Sequence, residues 1–194
     1  RRALLARARQ YVGLEGSPDA TALAPEDLST AMIIGIEDGG ADFYEAAKAY
    51  VTTATNQNER STILRVLASR GSKDVVSDLF SAVLNGPNST DEVFTVVYGA
   101  MANPAAQDTA WDLITTNFET VVERMPEIRQ PKLAGLTGYF CSVRKAAEAE
   151  DFFQQNAQLI PGYERSLAQG TEKATLCSAL RAQKALDVNN FFQQ

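Results

Sequence analysis

MANPAAQDTAWDLITTNFETVVERM, residues 101–125, carries the clearest helical pattern in this chain of 194 residues. Asn103 is a preferred N-cap, and Pro104 suits the first position of a helix. Bulky apolar side chains then recur every three or four residues, at Trp111, Ile114, Phe118, Val121, Val122 and Met125. Pro126 follows, and proline ends a helix because it lacks a backbone N–H. The stretch therefore predicts one long amphipathic helix with a bulky apolar stripe.

The same periodicity continues on both sides of this stretch, and the strict alternation of a β-strand is hardly seen. Short connections between helices of this length favour antiparallel neighbours. Antiparallel helix pairs stack either as a bundle or as a superhelix. Because each pair carries its own apolar face and no long crossover is seen, we expect an all-α fold in which the pairs stack into a curved superhelix of the HEAT/armadillo type, as a single domain over residues 1–194. The predicted helices span 2–12, 26–37, 41–54, 59–70, 73–84 and 90–101 before the quoted stretch, and 131–140, 144–156 and 164–184 after it.

The composition is that of a folded chain with an acidic surface. Hydrophobic residues make up 45% and charged residues 22%, which is ordinary globular usage, and no apolar run reaches membrane-spanning length. The formal net charge of −6 argues against a nucleic-acid partner, because phosphate binding needs clustered positive charge. We expect a soluble protein with no membrane segment, with the cytoplasm favoured as its compartment. Because the sequence starts at Arg1 without a leader, we also expect it to be a piece of a longer chain.

Histidine is absent from the whole sequence. A zinc site of the HExxH type and the Ser/His/Asp and Cys/His nucleophilic systems all need histidine, and two cysteines are too few for a thiolate zinc site. Carboxylates such as Glu148, Glu150 and Asp151 read as a solvated helix face. We therefore predict no catalytic residue, no metal ligand and no cofactor in this chain.

Cys141 and Cys177 fall in apolar stretches with helical periodicity. Free thiols are common in such buried positions, so we favour two free cysteines over a disulfide. The pairing itself stays open at this point, because two cysteines are compatible with either state.

Four motifs occur in order along nearly the whole chain. LAPEDLSTAMIIGIEDGGADFYEAAKAYVTT has a proline-led helix, a double-glycine turn and a helix that ends in a tyrosine, and NERSTILRVLASRGSKDVVSDLFSAVLNG has a charged start, a leucine-rich helix and a glycine break. The third motif is the stretch quoted above, with its Ala-Trp pair and later Asn-Phe pair. EDFFQQNAQLIPGYERSLAQGTEKA has a Phe-Phe pair, a short loop and an arginine followed by Gln and Glu.

In this order the motifs resemble the C-terminal domain of the zinc aminopeptidase family that includes puromycin-sensitive aminopeptidase, aminopeptidase N and the endoplasmic reticulum aminopeptidases. The resemblance implies a non-catalytic domain that encloses the active-site chamber of the enzyme and influences which peptides enter it. It also implies that zinc is held by HExxH and a further Glu in a preceding thermolysin-like domain. The implied partners are this catalytic domain of the same polypeptide and a peptide substrate.

Arg129, Arg144 and Arg165 each follow or open a predicted helix close to a loop. A guanidinium in such a place can bind the C-terminal carboxylate of a peptide through paired hydrogen bonds. The competing interpretation is a surface charge or a helix cap. We retain all three as candidate contacts to a peptide C-terminus.

Two other functions fit parts of the sequence. An independent helical-repeat scaffold that binds a protein or peptide in its groove would show the same helix pattern. An enzyme that uses carboxylates alone would need two of them facing one cleft with perturbed pKa values.

Overall fold

A computed structural model describes the backbone of residues 1–192 and the side chains of residues 1–185. Helices form all of the regular structure in this part of the chain, so the predicted all-α class is confirmed. The chain divides into two compact units, Arg1–Arg124 and Met125–Gln194, which are described separately below. The expectation of one domain over 1–194 stays a prediction. In the part of the chain that the structure describes, no helix has the length and apolar character needed to cross a bilayer.

Arg1–Arg124 contains eight α-helices in its described residues, and most lie within one to three residues of their predicted bounds. Ser72 caps the helix that begins at Lys73, with its Oγ accepting a hydrogen bond from the backbone N–H of Val75 at 3.3 Å. Short 3₁₀ turns at Ala20–Ala22 and Pro25–Asp27 lie in and after the longest connection. The helices are α1 (Arg2–Val12), α2 (Leu28–Asp38), α3 (Gly40–Thr53), α4 (Gln57–Arg70), α5 (Lys73–Asn85), α6 (Thr90–Met101), α7 (Gln107–Thr116) and α8 (Phe118–Glu123).

Consecutive helices of this unit pack against each other, and several also pack against the next helix but one. α2 contacts both α1 and α4, α4 contacts α6, and α5 contacts α7. The stacked layers enclose a core whose largest fully buried side chains include Phe43, Phe80 and Met101. Neighbour-to-neighbour packing of helix pairs is the pattern of a helical-repeat stack, so the predicted superhelical class of fold is confirmed.

The predicted single helix over 103–125 is wrong in its bounds. α7 begins only at Gln107, and the helix is interrupted at Asn117, where α8 takes over. The Asn117 side chain donates to the Leu113 carbonyl oxygen at 2.8 Å and closes the end of α7. Asn is favoured at helix ends because its side chain competes for backbone hydrogen bonds.

Asn103 is not the N-cap of α7 but a buried polar residue, 3% exposed. Its Nδ2 donates to the carbonyl oxygens of Ala68 and Gly71, at 3.1 and 2.8 Å, and its Oδ1 accepts from the N–H of Ala105. The last carbonyls of any helix lack partners within that helix. Asn103 therefore supplies the donors that the end of α4 needs.

Arg124 satisfies the end of α5 in the same way. Its Nη2 donates to the carbonyl oxygens of Val83, Gly86 and Asn88 at 3.0, 3.0 and 2.9 Å. A charged donor strengthens such bonds, because charge-assisted hydrogen bonds are roughly twice as strong as neutral ones. The residue that ends α8 thus fixes the connection between α5 and α6.

Met125–Gln194 has a different architecture. A 3₁₀ segment, Glu127–Tyr139, precedes α9 (Val143–Gln155), a short 3₁₀ turn at Ala157–Leu159 and the long helix α10 (Glu164–Phe192). The predicted helix over 131–140 is therefore wrong in type. Pro131 lacks a donor for an α-helical hydrogen bond, and Gly135 and Gly138 weaken helix formation further.

Cys141 and Cys177 form a disulfide bond, so the preference for free thiols is wrong. Their Cα atoms lie 5.1 Å apart, within the range that a disulfide spans. Cys141 lies in the junction between the 3₁₀ segment and α9, and not in a regular helix. Cys141 is half-buried and Cys177 is exposed, in contrast to the buried thiols that we expected.

Gly170 explains how α10 approaches the 3₁₀ segment closely. A Cβ atom at this position would lie 3.1 Å from the Gly138 nitrogen and 3.2 Å from the Gly135 carbonyl oxygen. Glycine in a helix costs about 1 kcal/mol relative to alanine, and this contact between two backbones is the reason for its presence. Gly138 is the matching small residue on the other side, with Gly170 Cα 3.3 Å from the place of its absent Cβ.

We predict that Gly170→Ala destabilises the protein by about 1–3 kcal/mol, because the added methyl group presses on backbone that cannot move alone. Gly135→Ala is the control, since its Cβ would lie in ordinary contact, 3.7 Å from the Ser166 carbonyl oxygen. Urea unfolding of both variants measures the difference. Equal stability of Gly170→Ala and the control would contradict the proposed close approach.

Candidate functional site

The three candidate arginines all lie in Met125–Gln194, each on a different element. Arg129 is half-buried in the 3₁₀ segment, where its backbone N–H donates to the Pro126 carbonyl oxygen at 2.7 Å. Arg144 is the second residue of α9 and Arg165 the second residue of α10, and both are exposed. All three arginines thus lie in the first turn of a helical element, and their role toward a peptide stays a prediction.

Arg144 pairs with Glu148 one turn further along α9, with 73% and 56% of the two side chains exposed. Such an exposed pair contributes little to stability and exchanges readily with solvent. Arg165 has neither a hydrogen bond nor an ion pair from its side chain to the residues that the structure describes. Its position in the first turn of α10 is unfavourable to a cation, because the N-terminal end of a helix carries partial positive charge. An anion bound there would offset this repulsion.

Charge is distributed unevenly between the two units. Residues 1–124 contain 17 acidic and 10 basic residues, and residues 125–194 contain 7 acidic and 8 basic residues. The unit with the three arginines thus has a slight excess of basic residues, while the other is strongly acidic. The unit that contains the three arginines therefore repels a peptide carboxylate less than the acidic unit does.

A cavity of about 640 Å³ opens on Met125–Gln194 at the start of the 3₁₀ segment. Its lining consists of Glu127, Ile128, Gln130, Pro131 and Pro161. Ile128 is 82% exposed, so this surface presents an apolar side chain next to the arginine in sequence. Sequence reasoning selected Arg129 but missed this neighbour, because a single isoleucine in a polar stretch gives no periodic signal.

A second cavity, of about 640 Å³, lies in Arg1–Arg124 at the ends of α3 and α5 and the beginnings of α4 and α6. Its walls are apolar side chains such as Leu64, Leu79 and Val83, and charged groups lie at its edge. The most buried of these is Glu92, which is 2% exposed.

Glu92 is held by two partners. Its Oε1 accepts from Arg60 Nε at 2.6 Å, and its Oε2 accepts from the Ser89 backbone N–H at 2.9 Å. Ser89 Oγ accepts in return from the Glu92 N–H, which completes a capping box at the start of α6. Burial raises the pKa of the Glu92 carboxyl, but the hydrogen bonds from Arg60 and Ser89 outweigh burial and lower that pKa overall.

Arg60 also donates from Nη1 to the carbonyl oxygens of Val51 and Ala54 at the end of α3. The pair with Glu92 joins α4 to α6, and these additional bonds join α4 to α3. Arg60 and Glu92 thus use their polar atoms on each other and on the backbone. The arrangement is suited to holding helices together rather than to proton transfer.

A third cavity, of about 670 Å³, has Tyr44 and Asp78 in its lining. Asp78 accepts hydrogen bonds from the Tyr44 hydroxyl and from Lys48 Nζ. The bond from Lys48, followed by that from Tyr44, lowers the pKa of the Asp78 carboxyl. Burial, with the hydrogen bond to Asp78, raises the pKa of the Tyr44 hydroxyl. Both groups therefore keep their ordinary protonation states near neutral pH.

Catalysis by carboxylates alone finds no support in these groups. A general acid needs a raised pKa, whereas the shifts at Asp19, Asp38, Asp78 and Glu92 are all downward. Within the described part of the chain, no three His, Cys, Asp or Glu side chains are grouped so as to hold a metal ion. The residues present thus do not fit a zinc site.

A model of the protein family described as the ERAP1-like C-terminal domain matches residues 2–176. The chain belongs to this family. The resemblance to an aminopeptidase C-terminal domain that the four motifs predicted is thereby confirmed. Aminopeptidase M1-D of Oryza sativa subsp. japonica is 23% identical to the chain over 135 residues, which are 69% of this chain and 15% of the rice protein. The chain thus spans a small part of the length of this relative.

We predict that Arg60→Met destabilises the protein by about 3–5 kcal/mol, because it leaves the buried carboxylate of Glu92 unpaired. The double variant Arg60→Met/Glu92→Met should recover part of this loss, since it removes both charges. Arg144→Met removes an exposed Arg-Glu pair and should cost at most about 1 kcal/mol. Urea unfolding at neutral pH measures all three, and a double variant less stable than Arg60→Met would contradict the role of the buried pair.

The lowered pKa of Glu92 makes stability depend on pH. A carboxyl whose pKa is lower in the folded state stabilises that state above its unfolded pKa of about 4.3, and the contribution is lost as pH falls through the folded value. The free energy of unfolding should therefore fall between roughly pH 5 and pH 3. Glu92→Gln should show a smaller fall than the wild type, measured by urea unfolding across this range. A fall of the same size in both proteins would contradict the assignment, and the exposed Glu148→Gln is the matched control.

Proposed function

We propose that the chain is the non-catalytic C-terminal domain of a zinc metallo-aminopeptidase, where it encloses the active-site chamber and influences which peptides reach the zinc. The family match over residues 2–176 is the observation that supports this most directly. A second support is the similarity to a protein named as an aminopeptidase. On this proposal the whole of residues 1–194 acts as one domain, with the catalytic domain of the same polypeptide and a peptide substrate as its partners.

The zinc ion belongs, on this proposal, to the catalytic domain of the parent enzyme. Histidine is absent from the chain, and the carboxylates whose pKa values shift are held by hydrogen-bond donors rather than grouped for a metal. This domain would act on catalysis only through substrate access. A wall of packed helices suits that task, because it presents a fixed surface to a long peptide.

Within this function, Arg129, Arg144 and Arg165 are proposed to contact the C-terminal carboxylate of the peptide. Arg144 and Arg165 are exposed at the beginnings of their helices, where an anion is favoured over a cation. Arg129 lies beside the exposed Ile128, which could receive an apolar peptide side chain. An arginine fork binds a carboxylate through two parallel hydrogen bonds.

The disulfide between Cys141 and Cys177 changes the compartment we favour. Structural disulfides are rare in the cytosol and persist in oxidising compartments. We therefore propose an oxidising compartment for this protein in place of the cytoplasm favoured by the sequence.

The test is made on the whole protein that contains this chain. We expect it to release N-terminal residues from peptides and to prefer a peptide of about ten residues with a free C-terminal carboxylate over its C-terminal amide. We expect that replacing an arginine that contacts the carboxylate by alanine reduces the ratio of kcat/KM for the free acid to kcat/KM for the amide about tenfold. This is the size expected for one charge-assisted hydrogen bond.

An aminoacyl anilide serves as the control substrate, because it is too short to reach beyond the active site and its cleavage should not change. Absence of aminopeptidase activity from the whole protein would refute the proposed function. Activity with an unchanged carboxylate preference in all three variants would leave the function standing and refute the role of the arginines.

A further inference from the structure

The two halves of α10 are attached to their unit by different means. The first half is packed: Leu167, Gly170 and Ala174 are buried, and Gly170 meets the backbone of the 3₁₀ segment. Ala174 is the last buried residue before the end of the described side chains. From residue 175 to residue 185 every side chain is exposed except Ser178, which is half-buried.

Cys177 is the point where this exposed stretch is fixed. Its bond to Cys141 joins α10 to the junction between the 3₁₀ segment and α9. Cys141 itself is held in place on both sides, because Phe140 is buried and Ser142 caps α9. Among residues 175–185, the structure records no hydrogen bond or ion pair from a side chain to another element. The disulfide is therefore a covalent link to a helix segment that buried side chains do not hold in place.

We propose that this disulfide makes the local stability of α10 sensitive to redox conditions. The α10 segment 175–185 is held against the unit when Cys141 and Cys177 are bonded, and it opens locally when they are reduced. This inference is independent of the proposed function. Segments with few buried contacts open locally with little free energy, so the bond has a large effect on this part of the chain. Residues 164–174 stay packed in both states, because their contacts do not involve the disulfide.

The bond is placed where a dithiol reductant can act on it. Cys177 is exposed and Cys141 is half-buried. Cys177 also lines a shallow groove together with Glu172, Leu176 and Leu180.

A dithiol of the CxxC or dithiothreitol class can reduce this bond in two steps of thiol–disulfide exchange. One thiolate of the reductant attacks one sulfur of the Cys141–Cys177 bond, that bond breaks, and the other cysteine leaves as a thiolate. The second thiol of the reductant loses its proton to water and attacks the mixed disulfide, which releases the first cysteine. Two electrons pass to the protein, the reductant becomes a disulfide, and the two cysteines take up protons from water according to pH.

Hydrogen exchange of the whole protein, resolved to peptides, tests the proposal before and after treatment with dithiothreitol. We expect exchange at residues 176–185 to become at least about tenfold faster on reduction and to return to its first value on reoxidation. Peptides that cover Thr137, Gly138 and Gly170 should not change. The variant Cys141→Ser/Cys177→Ser should exchange fast at 176–185 with or without the reductant.

Equal protection of residues 176–185 in the oxidised and reduced protein would overturn the proposal. Loss of protection around Gly138 as well would also overturn it, because reduction would then act on the whole unit. Reversible reduction of the wild type keeps the test valid if the double serine variant does not fold.

Discussion

The unpaired carbonyl groups at the ends of helices are the constraint on which Arg1–Arg124 depends. Each helix leaves its last carbonyls without a partner, and in a packed stack water does not reach all of them. Here side chains from later elements supply the donors: Arg60 at the end of α3, Asn103 at the end of α4 and Arg124 at the end of α5. At these three helix ends, polar bonds join the helix to a later element, in addition to the apolar core.

The spacing of apolar residues predicted most of the helices of this unit, because the residues that recur at helical spacing are those that a packed helix buries. Ser72 and the glycines after α4 and α5 mark helix ends through local chemistry that can be read from a few residues. Asn103 shows where such reading fails. Asn before Pro is a standard start signal, yet its side chain reaches α4, more than thirty residues earlier. No local pattern distinguishes a cap from a contact over that distance.

The second unit was harder to predict for related reasons. The 3₁₀ segment Glu127–Tyr139 has apolar residues at helical spacing, but Pro131 and its glycines remove the hydrogen bonds and side chains that an α-helix needs. The pairing of Cys141 with Cys177 depends on how this segment lies against α10, which sequence spacing does not contain. The three candidate arginines were identifiable as residues that begin elements, whereas the exposed Ile128 beside Arg129 became visible only in three dimensions.

The donors that close the helix ends also bear on how such a protein can change length. In repeat proteins whose units contact only their neighbours through apolar faces, one unit can be gained or lost with little harm to the rest. Here the removal of α6 and the residues that follow it would leave the end of α4 with buried, unpaired oxygens, because Asn103 would leave with them. Insertion or deletion of a helix pair therefore has to restore a donor at every new end. The number of helices should therefore vary little, whereas the identity of exposed residues can change freely.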